Sequence, residues 1–321
     1  MDRYVIRGGR RLEGTVRVGG AKNAILPILA ATVLNKTDEV IILTNVPHIR
    51  DVVKMVDILR SLGAEISWSG GNMIVSTRNL SGFAVSENLM REMRSTIFLM
   101  GALLGRCGQV CISHPGGCAI GQRPIELHLK GLRKLGAQVR EQHGFIYASC
   151  SRLTGAEIHL DYPSVGATEN IMMASVYARG VTVISNAAKE PEIVDLQNML
   201  NKMGAKIRGA GTDQIRITGV TQLRGIEYSV IPDRIVAGTL MIAAAATGGE
   251  CYSRPPGGSH GETQGNGRAG AGRKRQAARG STGTTAGCGV RPDIALPRFS
   301  DRPAGPDNGR PGAGQGDQHH Y

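Results

Sequence analysis

The 321-residue chain carries 38 Lys and Arg against 26 Asp and Glu, a formal net charge of +12, and only 4% of its residues are aromatic. The length allows two domains of ordinary size, and the charge suits an anionic partner, whether nucleic acid, membrane surface or small substrate. So few aromatic rings exclude a stacking platform for single-stranded nucleic acid, and no run approaches the roughly 20 apolar residues that span a bilayer.

The first residues, Met1 to Arg7, read as an opening strand and not as a secretory signal, which would set an apolar core there. The six cysteines, Cys107, Cys111, Cys118, Cys150, Cys251 and Cys288, include no pair with CxxC spacing, and a chain of this size needs no disulfide framework. A reducing, cytoplasmic compartment is expected. Gly19-Gly20-Ala21-Lys22-Asn23 then leads into Ala24 to Leu34, an apolar run predicted to be a buried helix whose Pro27 is tolerable only near its start. Lys22 and Asn23 fall at that helix's N-terminus, a position suited to anions. Taken alone, a lysine there is more often a solvated loop residue.

A repeat follows. Asp51-Val52-Val53 runs to Leu62-Gly63-Ala64, Ile125-Glu126-Leu127 to Leu135-Gly136-Ala137, and Asp195-Leu196-Gln197 to Met203-Gly204-Ala205. Each stretch predicts an amphipathic helix closed by a glycine, with strands after it such as Glu65 to Trp68 and Lys206 to Arg208. The glycines stand 73 and 68 positions apart. A second helix opens each unit, over Arg91 to Leu104 and Thr168 to Ala178. Strands and two helices repeated three times predict an α/β domain with internal three-fold symmetry. Ile231-Pro232-Asp233-Arg234 begins a fourth unit, with an apolar helix over Leu240 to Thr247.

Between the first two repeats lies His114-Pro115-Gly116-Gly117-Cys118-Ala119-Ile120-Gly121-Gln122-Arg123-Pro124. Glycines let the backbone approach a ligand closely, and successive N–H groups in such a loop form an anion-binding concavity. Pro124 sits where the next helix starts. The loop would hold a thiol and a guanidinium beside an anion at a helix N-terminus. A surface turn with an incidental cysteine is the plainer alternative. Ser164-Val165-Gly166-Ala167-Thr168 is a second small-residue loop at a helix start.

From Cys251 to Tyr321 the pattern is lost. These 71 residues hold 16 Gly and 7 Pro, and Val290, Ile294 and Leu296 are their only Val, Ile, Leu or Met. Such a segment cannot bury enough apolar area to offset its ordering entropy, so disorder is expected. Its arginines and glycines also suit RNA.

Gly20-Ala21-Lys22-Asn23-Ala24, the Pro115 to Pro124 loop, Ser164 to Thr168 and Ile231 to Arg234 together resemble the UDP-N-acetylglucosamine 1-carboxyvinyltransferase family, from Met1 to about residue 250. The resemblance implies two similar domains, each an inside-out barrel of three βαβαββ units. Residues 22–231 would be the complete second domain. Residues 1–21 and 232–250 would be an incomplete first domain, and 251–321 a disordered tail. Ala295 to Pro306 can be encoded by bases that, read one nucleotide later, give Tyr-Pro-Gly-Phe-Pro-Thr-Asp-Leu-Gln-Ala-Gln, similar to the family's fourth unit. This implies a frameshift near residue 252.

The implied reaction moves the enolpyruvyl group of phosphoenolpyruvate to the 3-hydroxyl of UDP-N-acetylglucosamine, the committed step of peptidoglycan synthesis. It implies Cys118 as the catalytic thiol and fosfomycin target. Lys22, Asn23 and Arg123 would bind phosphoenolpyruvate. Arg94, Arg123, Pro124, Ile125, Glu126, Leu127, Ser164 and Val165 would bind the UDP-sugar. No metal or cofactor, no membrane and no nucleic acid are implied, and the protein would be a cytoplasmic monomer. The family's catalytic aspartate lies in a motif absent here in frame, so the chain as written is expected to be inactive. The alternatives are a 3-phosphoshikimate 1-carboxyvinyltransferase-like enzyme, sharing the fold, and nucleic-acid binding through the tail.

Overall fold

The computed structural model describes residues 3, 5, 8–91, 94–114, 125–253 and 287–291. In chain order they form β1 (Gly14–Arg17), α1 (Lys22–Thr32), β2 (Ile41–Thr44), α2 (Arg50–Ser61), β3 (Glu65–Ser69), β4 (Asn72–Ser76), α3 (Glu87–Arg91), a 3-10 turn (Arg94–Ile97), α4 (Phe98–Cys107), β5 (Gln109–Ser113), α5 (Glu126–Lys134), β6 (Gln138–Gln142), β7 (Phe145–Ser149), β8 (Glu157–His159), α6 (Val165–Ser175), β9 (Val181–Ser185), α7 (Pro191–Met203), β10 (Lys206–Arg208), β11 (Gln214–Thr218), β12 (Glu227–Ser229), α8 (Arg234–Ala246), β13 (Glu250–Ser253) and β14 (Gly287–Arg291).

The expected three units are present and share one topology. The sheets run β12-β2-β4-β3, β5-β7-β6 and β8-β9-β11-β10. In each, a hairpin packs antiparallel onto a central strand that has a parallel neighbour on its other side. In the second unit that neighbour is reduced to a single bridge between Ala84 and Cys111. In the first unit it is β12, which pairs Glu227 with Ile42. The unit that opens the chain is therefore completed by a strand from the far end of the barrel.

The two helices of each unit differ as their sequences dictate. α2 buries Val52, Met55, Val56, Ile58 and Leu59, a one-sided stripe at helical spacing, with Asp51 in its first turn and Arg60 in its last. Just past α2 and α5, Gly63 and Gly136 take φ of 101° and 95°, and Gly204 caps α7 at 113°. That left-handed geometry ends a helix and favours glycine. By contrast α1, α4 and α6 are buried nearly all round, which is why they lack a polar face. They lie in the centre with the sheets outside, the inside-out arrangement expected. Pro27 stands at the sixth position of α1, deeper than its sequence predicted, and removes the rung that the Asn23 carbonyl would receive.

Three further boundaries differ from expectation, the first being the helix predicted over Thr168 to Ala178, which runs over Val165–Ser175. The helix predicted over Arg91 to Leu104 is broken into α3, the 3-10 turn and α4. The helix predicted over Leu240 to Thr247 starts earlier, at Arg234, because Asp233 Oδ1 accepts from the N–H groups of Ile235 and Val236 at 2.8 and 3.1 Å. That helix exposes Ile235, Val236 and Ile242.

The chain leaves and re-enters the barrel at one place. Gly20 bridges Pro232, Ala21 N–H donates to the Ile231 carbonyl at 2.8 Å, and Asp233 N–H to the Gly19 carbonyl at 2.9 Å. Within the tail whose composition predicts disorder, the structure describes β14, lying parallel between β1 and β13.

Candidate functional site

A cavity of about 430 Å³ opens where the N-termini of α1, α4, α5, α6, α7 and α8 meet. Asn23 belongs to the first turn of α1, Phe98 to that of α4 and Arg234 to that of α8, while Ile125, Ser164 and Glu190 are the N-caps of α5, α6 and α7. The first N–H groups of a helix have no partner within it, and the aligned peptide dipoles leave that end positive. Ser164 and Asp233 already accept from the first N–H groups of α6 and α8, and the remaining ends around the cavity favour an anion. Two other depressions, about 510 Å³ beside Lys206 and Arg208 and about 630 Å³ beside His159 and Asp213, are more open and gather no comparable set of helix ends.

The residues singled out from sequence divide as follows. Asn23, Ile125, Ser164 and Val165 line the cavity. Ser164 accepts from Ala167 N–H at 3.4 Å, so its hydroxyl caps α6. Lys22 opens α1 and forms an ion pair with Asp51. Its N–H donates to Asp233 Oδ2 at 3.3 Å, which joins it to the double crossing. Arg94 begins the 3-10 turn that enters the site. Glu126 is exposed and Leu127 is buried in the core, so any contact from Leu127 to a ligand in the cavity must come through its main chain. Cys118, Arg123 and Pro124 lie outside the described residues, with the whole loop 115–124.

Sequence reasoning missed a polar group behind the helix ends. Asn170, fully buried on α6, donates through Nδ2 to the Ile97 carbonyl at 2.8 Å and to His128 Nδ1 at 2.9 Å. An Nδ1 that accepts leaves the His128 proton on Nε2, the nitrogen that lies nearest Gly166. Asn170 Oδ1 accepts from Gly101 N–H, so one amide ties α4, α5 and α6 together.

The cavity also holds Glu169, Glu190, Glu192 and Arg234. Arg234 Nε donates to Glu192 Oε1 at 2.9 Å. Burial, then the charges of Glu192 and Glu190, push the Glu169 carboxyl well above the ordinary carboxylate range. The one signal available in sequence was a lone charge inside the otherwise uncharged run Val165 to Ser175. Elsewhere, Cys107, Cys111 and Cys150 are free and half-buried, and burial raises all three thiols.

The sequence pattern of EPSP synthase (3-phosphoshikimate 1-carboxyvinyltransferase) matches residues 6–253. The chain is 57% identical over 250 residues to UDP-N-acetylglucosamine 1-carboxyvinyltransferase 2 of Caldanaerobacter subterraneus subsp. tengcongensis, covering 78% of this chain and 60% of that one. It is 58% identical over 255 residues to UDP-N-acetylglucosamine 1-carboxyvinyltransferase 1 of Symbiobacterium thermophilum, covering 78% and 57%. The chain thus spans about three fifths of the length of these relatives. Its fold is that of the enolpyruvyl transferase NikO from Streptomyces tendae, with a TM-score of 0.64 at 24% identity over 74% of this chain and 56% of that one. EPSP synthase from Acinetobacter baumannii shares it at a TM-score of 0.58 and 21% identity, over 75% and 54%.

Proposed function

The chain belongs to the EPSP synthase family, and we propose that its protein transfers the enolpyruvyl group of phosphoenolpyruvate to the 3-hydroxyl of UDP-N-acetylglucosamine, releasing phosphate for peptidoglycan synthesis. The observation that carries this reading is the convergence of six helix N-termini on one cavity. Both substrates are anions, and helix N-termini favour phosphate and carboxylate. The choice of a UDP-sugar over 3-phosphoshikimate rests on relatives 51–58% identical that bear the former name.

In this reading the acceptor's 3-hydroxyl gives its proton to the aspartate of the motif absent here in frame and its oxygen bonds to C2 of phosphoenolpyruvate, while C3 takes the Cys118 proton. Phosphate then leaves C2 and a proton returns from C3 to the thiolate, which restores the vinyl group. Cys118 is the acid, since a thiol of pKa about 8.5 is mostly protonated at neutral pH. Lys22 is the point charge and Arg123 the bidentate fork for phosphate and carboxylate, beside Asn23. Arg94, the Arg123 to Leu127 segment, Ser164 and Val165 hold the UDP-sugar. Residues 22–231 form the complete second domain, and 1–21 with 232–250 part of the first. The protein works as a cytoplasmic monomer on small molecules.

Calorimetric titration of the chain with UDP-N-acetylglucosamine tests the site, and phosphate release from phosphoenolpyruvate tests the reaction. Saturable binding of the sugar nucleotide is expected; no binding of it overturns the reading. If the last 71 residues are out-of-frame text, the chain binds without turning over, and a version with the frame restored after residue 252 releases phosphate. Equal rates from both would refute the frameshift.

A further inference from the structure

Anion binding leaves the carboxylates of the same cavity unexplained. Glu169 is fully buried, and neither of its oxygens has a hydrogen-bond partner among the described residues. One oxygen each of Glu190 and Glu192 is also buried without a partner. Among the described lining residues Arg234 supplies the guanidinium, and it engages Glu192. Four carboxyl oxygens thus have no partner among the described residues, and buried polar groups left so are costly. A metal ion does not answer the need, because no group of three His, Cys, Asp or Glu among the described residues is placed to hold one.

Position says which part of a ligand arrives there. Val165 is the first residue of α6 and Glu169 lies four residues on, so both share a face and stand about 6 Å apart along the axis. A ligand whose anionic group rests on the α6 N-terminus therefore reaches Glu169 with a part about one helical turn away. Carboxylates repel phosphate and carboxyl groups, so that part is neutral and rich in hydrogen-bond donors.

We propose that Glu169 determines acceptor specificity: flanked by Glu190 and Glu192, it accepts hydrogen bonds from the hydroxyl and acetamido N–H donors of the acceptor's sugar while the helix ends hold its phosphates. This inference rests on the reading of the cavity as the UDP-sugar site. A hydrogen bond contributes enough to change affinity about 2- to 10-fold.

The test is calorimetric titration of the 321-residue chain, wild type, Glu169→Leu and Glu169→Gln, with UDP-N-acetylglucosamine and with UDP. The wild type is expected to prefer the sugar nucleotide over UDP by about 10-fold or more. Glu169→Leu should erase that preference and leave UDP binding unchanged, which also reports that the variant folds. Glu169→Gln keeps one acceptor oxygen and should fall between; it carries the test if the leucine variant does not fold. An unchanged preference in both variants, or no preference in the wild type, overturns the role of Glu169 alone. A wild type that binds neither nucleotide overturns the acceptor-site reading and this inference with it.

Discussion

Gly101 and Gly105 lie one turn apart on α4, and replacing each by alanine should have opposite outcomes. Alanine gains about 1 kcal/mol over glycine in a helix interior. At Gly105 the new Cβ would meet Leu34 Cδ2 at 3.3 Å and main-chain oxygens at 3.5 and 3.6 Å. The tip of a leucine can yield, so Gly105→Ala should match the wild type or exceed it by up to about 1 kcal/mol. At Gly101 the Cβ would lie 2.9 Å from the Asn170 carbonyl carbon and closer still to both Asn170 oxygens, against an ordinary contact of about 3.5–4.0 Å. Relief means pushing α6 off α4, which costs about 1–3 kcal/mol as overpacking. It also disturbs the Asn170 bonds to Gly101, Ile97 and His128, at about 1 kcal/mol each. The clash outweighs the propensity, and Gly101→Ala should lose about 3–5 kcal/mol. Urea unfolding followed by circular dichroism measures both variants. If they fall within about 0.5 kcal/mol of each other, the close packing of α4 on α6 is not what holds the centre together.

Two further expectations concern titrating groups. Burial pushes Asp195 up to about 6 although Tyr228 Oη donates to it at 2.6 Å. The folded state therefore keeps a proton that the unfolded chain has released. Stability should fall as pH rises from about 4 to 6 by up to about 3 kcal/mol. The difference between wild type and Asp195→Asn should slope across that window and be flat above it; a flat difference throughout refutes the assignment. For the proposed catalytic thiol, peptide mapping after fosfomycin treatment should find Cys118 labelled ahead of Cys107, Cys111 and Cys150, whose burial disfavours the thiolate. Even labelling across the four would remove Cys118 from its role.

The three units were legible because their signals are local: an amphipathic stripe and a glycine that ends it, as at Leu62-Gly63-Ala64. What stayed hidden was non-local. Nothing in Glu227 to Ser229 announces that it pairs with Ile41–Thr44, since strand pairing leaves no mark on three residues. The break before α4 was missed because Met90 to Arg94 reads as good helix. In the site, Asn23, Ser164 and Val165 stood out as small or polar residues at helix starts. Glu169 did not, because its importance comes from burial against two other carboxylates that arrive on α7.

The pairing of β2 with β12 has a consequence for the chain as it leaves the ribosome. Glu227 is made 185 residues after its partner Ile42. At about 5–20 residues per second, that interval is on the order of 10–40 s. Throughout it the nascent first unit displays the open edge of β2, a row of free N–H and C=O groups able to recruit any passing strand. Gly225 N–H meets Glu39 at 2.9 Å just ahead of the strand, so the same few residues that close the barrel end the exposure.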